Sequence, residues 1–373
     1  MNLYIYDHVR LILLDFENET LNLKSSLQPT KKPWAQHLTI NNDESTTSDQ
    51  VCRLKELFSK LKAKMMRKLG RRAKPFQMKF ELVHTFGQLG VQGNDDETLS
   101  LPIDVKVSYT HSCILVSGFR RIQVFDLHTK QFKSSISFSS EVHNLVPNFL
   151  CVEELYEEER DALLLSGTHL IYKYDLEFLL QTVATVDMNA DTCLWKSDMV
   201  VSPQGIAIEK QLQQAFISDA HWAYIVVLDL KTGELINFIE LCMFPYGVAV
   251  TTSIEMSGTL YVISAGTNAD NCIEIMKRNN DGFYTKKAQF CDYGQEIGNL
   301  WLPNGLVFDH KAKNLIVSDK EQQLIQIFTL EGNFVISFKD EINLKRPVGM
   351  CLNELTGELL ICNFADHTVK VYR

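Results

Sequence analysis

Residues 302–338, LPNGLVFDHKAKNLIVSDKEQQLIQIFTLEGNFVISF, divide into four short apolar runs and three turns. The first run follows Pro303 and covers Gly305–Phe308. The second ends at Ser318–Asp319, the third is Leu324–Phe328, and the turn Glu331–Gly332–Asn333 leads into a fourth, Phe334–Phe338. Runs of four to six residues bounded by Gly, Asp, Asn and Lys are strands joined by hairpins. A lone four-stranded unit cannot bury both of its faces, so the chain should contain copies of it.

Six proline-led strands meet that requirement, at Pro102, Pro147, Pro203, Pro245, Pro303 and Pro347, spaced by 45, 56, 42, 58 and 44 residues. The third strands align best, as Ile122–Phe125, Ile225–Leu228, Ile273–Met276, Ile325–Phe328 and Val369–Tyr372, with apolar first and third positions that should face one way. The second copy, Ile171–Tyr174, departs by placing Lys173 at a core position. Four-stranded repeats with periods near 40–50 residues predict an all-β fold, a six-bladed β-propeller of four-stranded blades. The last unit stops at Arg373 after three strands, and the unpaired strand Phe80–Phe86 precedes the first unit. Filling the empty outer slot with this N-terminal strand would close the ring and remove an exposed edge.

The units resemble NHL repeats over residues 80–373. FGQLG at 86–90, LPIDVKV at 101–107, RRIQVFD at 120–126, LPNGLVF with LIVSD within 302–319, and RPVGMCL with LLICNFADHTVKVY in the last unit carry the likeness. The family's Asp closing the second strand matches Asp219 and Asp319 and becomes Asn363 in the last unit. Such an Asp should tie down the turn after it by accepting from backbone N–H groups. The resemblance implies a propeller that binds a protein or peptide on one face, and in some tripartite-motif relatives RNA. No RING or B-box pattern of Cys and His precedes the repeats.

The net charge of −9 is unevenly placed: residues 51–79 carry +10, residues 1–50 carry −3, and residues 80–373 carry −16. An acidic propeller disfavours nucleic acid, since phosphate binding needs clustered Lys and Arg. Arg120, Arg121, Lys345 and Arg346 are the basic residues on which an RNA-binding alternative would rest. Residues 1–50 have no assignable fold and are expected to be poorly ordered. From Val51 an apolar stripe at 51, 54, 57, 58, 61, 65 and 69 predicts a basic amphipathic helix bearing Arg53, Lys55, Lys60, Lys62, Lys64, Arg67 and Lys68. Such a helix either docks on the acidic domain or meets an anionic membrane or a calmodulin-like partner through residues 51–74. With Arg71–Lys74 it can also serve as a nuclear address. Nine cysteines without a CxxC pair, and an N-terminus that is a poor signal peptide, point to an intracellular, cytoplasmic protein without zinc or disulfides.

Propeller geometry sends the loops from fourth to first strands to the same face as the turns between second and third strands. That face receives Gly87–Leu101, Asp187–Ser202, Gly266–Asn271 and Cys291–Leu302, together with Trp195, Trp222 and Trp301. Tryptophans there either wedge between blades or anchor a partner, and with Tyr246 they are the candidate partner-binding residues. The residues after the prolines, Ile103, Asn148, Gln204, Tyr246, Asn304 and Val348, should line the channel mouth. PNGLVF at 303–308 is similar to the Pro-Asn-Gly strand of gluconolactonase and regucalcin-like hydrolases, and this implies Asn304 as a ligand of a divalent metal such as calcium. A hard cation needs several oxygens, some of them charged, and the mouth offers no carboxylate. Asp104 is offset by one and stands where four other units have Gly. The acidic run Glu153–Asp161 is expected to be a solvated hairpin on the opposite face. The sequence therefore favours a non-catalytic protein- or peptide-binding scaffold without cofactor or metal. A metal-dependent lactonase or esterase-like hydrolase centred on Asn304 is the alternative.

Overall fold

The computed structural model describes residues 73–93, 95–139, 148–157, 160–182, 186–187, 192–253, 259–267 and 273–373. The predicted basic helix, Pro147 and residues 1–50 lie outside them. Strand β1 is Leu82–Phe86. The first unit contributes β2 (Val105–Ser108), β3 (Cys113–Gly118), β4 (Arg121–Asp126) and β5 (Phe132–Ser139). The second contributes β6 (Leu150–Glu157), β7 (Arg160–Ser166), β8 (Ile171–Asp175), helix α1 (Leu176–Gln181), β9 (Val186–Asp187) and β10 (Trp195–Ser197). The third holds β11 (Pro203–Glu209), β12 (Gln214–Asp219), β13 (Tyr224–Asp229) and β14 (Leu235–Glu240). The fourth holds β15 (Phe244–Ser253), β16 (Thr259–Thr267), β17 (Ile273–Arg278) and β18 (Tyr284–Phe290). The fifth, the segment quoted first, holds β19 (Pro303–Asp309), β20 (Asn314–Asp319), β21 (Leu324–Thr329) and β22 (Phe334–Lys339). The chain ends with β23 (Pro347–Asn353), β24 (Glu358–Asn363) and β25 (Thr368–Tyr372).

These strands form five four-stranded sheets and one of five strands. The first strands β2, β6, β11, β15, β19 and β23 touch in that order, and β23 returns to β2. Six uniform four-stranded blades were expected, and the first unit departs from that. After β8 the chain does not turn directly into an outer strand. It forms α1, capped by Asp175 accepting from Phe178 N, and β9 then pairs in parallel with β5 (Phe138 with Val186, Ser139 with Asp187) before β10 completes the second sheet.

The third strands are buried on both faces, not on alternate residues, as in β4, β13 and β25. The cause is sandwiching of each sheet between two neighbours, which removes the alternation of a half-solvated strand. One core cluster joins Leu115, Ile122 and Val124 of the first sheet to Leu163, Tyr172 and Tyr174 of the second. Another joins Ile316 and Ile327 of the fifth to Leu359 and Ile361 of the last sheet.

The predicted closure is present. β1 pairs antiparallel with β25, Phe86 opposite Val369 and Thr85 opposite Lys370. The preceding residues are part of the fold as well. Phe76 is buried among Ile316, Ile325 and Tyr372, and its N–H donates to Asp309 Oδ2 at 2.8 Å. The Phe80 ring stacks on Phe338 at 4.1 Å.

A repeated lock joins adjacent sheets at the level of the channel. Ser117, Ser218 and Ser318, all fully buried in second strands, donate across to the next unit's mouth carbonyl: Asn148 O at 2.5 Å, Tyr246 O at 2.7 Å and Val348 O at 2.7 Å. The residue after each mouth position is glycine in four units because the neighbouring backbone comes so close. A Cβ on Gly205 would lie 2.7 Å from Tyr246 O, on Gly247 2.7 Å from Asn304 O, on Gly305 2.2 Å from Val348 O, and on Gly349 2.5 Å from Ile103 O. Asp104 replaces this glycine in the first unit. There it accepts from Val105 N and Leu150 N, both at 2.9 Å, and from Lys106 Nζ at 2.7 and 2.8 Å.

The acidic run is not a solvated hairpin throughout. Glu153 is 4% and Asp161 0% exposed. Glu153 pairs with Lys173 at 2.6 Å, and Asp161 accepts from Ser108 Oγ at 2.6 Å. Lys173, the outlying core lysine, also donates to Leu230 O of the third unit at 2.7 Å.

Candidate functional site

The three tryptophans have three different environments. Trp195 is 8% exposed and donates through Nε1 to Leu230 O at 3.1 Å, with its ring against Gly233, where a Cβ would come within 2.6 Å. It is a wedge between sheets and is not available to a partner. Of the two readings the sequence left open for it, the wedge is the one seen, because the long connection after β8 conceals a short outer strand, β10, on which Trp195 stands. Trp301 is half-buried, and its N–H donates to Asp319 Oδ2 at 2.6 Å. Trp222 is 57% exposed on the β12–β13 turn, edge-on to His221 at 4.6 Å.

The strand-closing carboxylates act more widely than expected. Asp219 accepts from His221 N after it, at 2.9 Å, and also from Val201 N and Ser202 N before the first strand, at 2.7 and 3.2 Å. Asp319 does the same with Gln322 N at 3.0 Å, Trp301 N at 2.6 Å and Leu302 N at 3.1 Å. In the last unit Asn363 offers Oδ1 to Lys345 N at 3.4 Å and donates to Asn343 O at 2.6 Å. Asp219 and Asp319 therefore fix both the loop that enters the sheet and the turn after the second strand, which in the third unit carries Trp222, while Asn363 holds the entering loop.

The same face presents other exposed apolar side chains at the entries to four of the sheets: Leu89 (56%), Phe244 (46%), Tyr293 (54%) with Ile297 (72%), and Ile342 (71%). Its basic residues are mostly committed elsewhere. Arg121 is 9% exposed and donates to Asp95 O and Thr98 O at 3.1 and 3.2 Å. Arg346 pairs with Glu321, and Arg120 lies over the Phe119 ring at 5.4 Å.

At the channel mouth the main chain carries most of the interactions. Ile103, Asn148, Gln204 and Tyr246 are half-buried, and Asn304 and Val348 are buried. The carbonyls of Asn148, Tyr246 and Val348 are taken by the serine locks, and Ile103 O accepts from Gly349 N at 2.9 Å. Gln204 Nε2 reaches Ser202 Oγ at 3.4 Å. Asn304 Oδ1 is buried without a hydrogen-bond partner among the described residues. The carboxylate nearest in sequence register, Asp104, is already bonded to Lys106. Among the described residues no three His, Cys, Asp or Glu side chains are placed to hold a metal ion, so the donors present do not fit a calcium site. Cys151 and Cys351 lie one level below, flanking Lys106 on the two adjacent first strands. Burial pushes the first thiol up to about 12 and the second to about 11, so neither supplies a thiolate nucleophile at neutral pH. Cys113, Cys151, Cys351 and Cys362 are free thiols.

The opposite end of the channel holds a titratable group that sequence reasoning missed. Burial, then repulsion from Asp161 and Glu354, pushes the Glu154 carboxyl up to about 7, against the pull of Lys210 and a Tyr109 N–H bond. A carboxyl whose pKa rises on folding binds its proton more tightly in the native state. Its cost is absent below the unfolded value near 4.5, grows through pH 4.5–7, and is fully present above 7. Glu154→Gln should therefore raise stability at pH 8, by at most about 3 kcal/mol, and leave it nearly unchanged at pH 4.5. Urea unfolding at the two pH values measures the difference, and equal effects at both would contradict this assignment.

A closed ring of mainly four-stranded sheets around a channel makes the chain an all-β propeller. No family model matches the sequence. Protein lin-41 of Caenorhabditis elegans is 27% identical over 136 residues, which are 33% of this chain and 11% of that protein. An auxiliary nutrient binding protein from Bacteroides thetaiotaomicron superposes with TM-score 0.56 at 11% identity, over 78% of this chain and 76% of that one. The Cps50 (Swd1) β-propeller domain of Myceliophteria thermophila gives TM-score 0.51 at 11% identity, over 79% and 99%. At such identities the structural likeness concerns the fold alone. No helix among the described residues is long and apolar enough to cross a membrane.

Proposed function

We propose that this chain is a non-catalytic scaffold, an NHL-type propeller of six blades in which the five-stranded sheet counts as one. It binds a protein or peptide on the face that carries Trp222. The observation that carries the reading is Trp222 itself: a large ring, 57% exposed, on a turn whose backbone Asp219 holds in place. A rigid, pre-positioned aromatic side chain buries much area at little entropic cost, which is the usual character of an interface anchor. Exposed Leu89, Phe244, Tyr293 and Ile297 add apolar surface elsewhere on the same face. Trp301 and Tyr246, half-buried, supply the inner part of the surface towards the channel. The sequence motifs of the repeat and the partial likeness to lin-41, an NHL-repeat protein, support the family. The acidic charge of residues 80–373 and the commitment of Arg121 and Arg346 weigh against RNA. The basic residues 51–74 form a separate element of this reading, available to an anionic membrane or a calmodulin-like groove. An intracellular setting, cytoplasmic or nuclear, suits the free thiols.

Trp222→Ala should lose partners recovered by the intact chain from a cell lysate, while the melting temperature stays within about 1–2 °C, as for a surface substitution. Unchanged recovery would remove Trp222 from the interface. The hydrolase alternative rests on the unpartnered Asn304 Oδ1. A melting temperature raised by millimolar calcium in the intact chain but not in Asn304→Ala would favour it over the scaffold.

A further inference from the structure

We propose that the free edge of β14 accepts an extended peptide, apolar in its middle and basic at both ends, as a fifth strand of the third sheet. β14 is the last strand of its sheet, and Leu235, Ile236 and Phe238 on it are 38%, 46% and 45% exposed. Antiparallel ladder bonds alternate in direction along a strand. Asp229 N donates to Glu234 O at 2.8 Å and Leu241 N to Ala223 O at 3.0 Å. With Asn237 opposite Val227 and Phe238 opposite Val226, this alternation turns the Phe238 N–H away from β13. Asn237 Oδ1 accepts that N–H at 2.8 Å, standing where the carbonyl of an added strand would sit.

Natural sheets usually protect such an edge with lysine or by covering it. The fourth sheet carries exposed Lys286 and Lys287 on β18, and in the first sheet β9 covers β5. That cover shows that an extended segment seats on a blade edge in this fold. β14 has neither protection. Its charges are at its two ends, where Glu234 and Glu240 are exposed with no ion-pair partner among the described residues. They select a strand of about seven residues with a cation at each end. The same charges disfavour a second copy of this chain, because antiparallel pairing of two β14 edges about Asn237 places Glu234 opposite Glu240. On β22 the exposed run Phe334–Ile336 lies between Glu331 and Lys339, opposite charges that do not select a basic peptide.

Beside the edge lies a cavity of about 300 Å³, with Gln214, Ile236, Asn237, Phe283 and Tyr284 in its lining. Phe283 is 64% exposed, which gives an apolar rim. Gln214 Oε1 is buried with no hydrogen-bond partner among the described residues, an arrangement native proteins seldom leave unfilled. An inward side chain of the added strand that carries an N–H donor would satisfy it.

The probe is a fluorescein-labelled peptide, KVTVQVK, titrated into the full chain and followed by anisotropy, with EVTVQVE as its counterpart. KVTVQVK should bind about tenfold or more tightly than EVTVQVE. Ile236→Lys should weaken binding by a similar factor, and Glu234→Lys combined with Glu240→Lys should reverse the preference. Val335→Lys on β22 and Trp222→Ala should leave binding unchanged, so this site and the Trp222 face fail independently. Far-ultraviolet circular dichroism checks that each variant is folded. No saturable binding up to roughly 1 mM, equal binding of the two peptides, or equal loss with Val335→Lys would each overturn the proposal. So would a dimer in sedimentation that Ile236→Lys dissolves, because the edge would then belong to a second copy.

Discussion

Lys173→Met is expected to cost about 3–5 kcal/mol of folding free energy, because it leaves a carboxylate in the core without its cation. Glu153 and Lys173 side chains are each 4% exposed and 2.6 Å apart. Lys173 Nζ also lies 5.3 Å from the centre of the Tyr156 ring. Loss of the bond to Leu230 O contributes little, since Trp195 Nε1 still donates to that carbonyl. The uncompensated charge on Glu153 dominates. Lys173→Met combined with Glu153→Leu should therefore recover most of the loss, since two apolar side chains of similar volume replace a pair whose attraction only offsets its desolvation. Urea denaturation of the wild type, both single variants and the double variant forms the cycle that isolates the pair. A single-variant loss below about 1 kcal/mol would mean that water or a proton compensates Glu153, and the pair would not be a major support of the second sheet's core.

That pair also marks a limit of what the sequence disclosed. Lys173 stood out as a cation at a core position, yet its partner was hidden in an acidic run whose composition looks solvated. The ladder places Cys151, Leu164 and Lys173 in one row, two residues from Glu153. A lone cation in one apolar strand should have prompted a search for a carboxylate at the matching level of the next. The fold itself was legible because repeats average out local ambiguity. Six proline-led strands, aligned third strands and an unpaired strand at the other end leave few arrangements other than a closed ring. The inter-sheet lock was not legible. A serine in LVSG, FISD or LIVSD does not look like a contact to the next unit, because its acceptor is a main-chain carbonyl some 30 residues on. The candidate surface was legible as a face but not residue by residue. Trp195 and Trp222 both fall between the strands read from sequence, yet Trp195 stands on β10 and packs against Gly233 and Leu230 O of the third unit, whereas Trp222 stays exposed on the β12–β13 turn.

Gly305→Ala should be nearly as damaging as the loss of Lys173, for a reason of space and not of charge. The added Cβ would lie 2.2 Å from Val348 O and 2.9 Å from Ser318 Oγ. Neither neighbour can move freely. Ser318 Oγ accepts from Gly305 N at 2.8 Å and donates to Val348 O at 2.7 Å, so the three groups form one closed lock. The first strands of the fifth and last sheets would have to separate by about 1 Å to reach an ordinary contact. In a closed ring, the other first strands must absorb that shift. Overpacking of this kind costs roughly 1–3 kcal/mol in a deformable core, and backbone against backbone places the expected loss at the upper end, about 3 kcal/mol. Gly205→Ala, whose Cβ would meet Tyr246 O at 2.7 Å, should cost less. Gly90→Ala tests the other use of glycine: nothing lies within 4 Å of its Cβ, but φ is +71°, so the loss should be about 1 kcal/mol from the left-handed backbone alone. Thermal and urea unfolding of the three variants should rank Gly305 above Gly205. Equal losses at those two positions would mean that the ring relaxes without resistance, and that the serine locks do not set the spacing of the sheets around the channel.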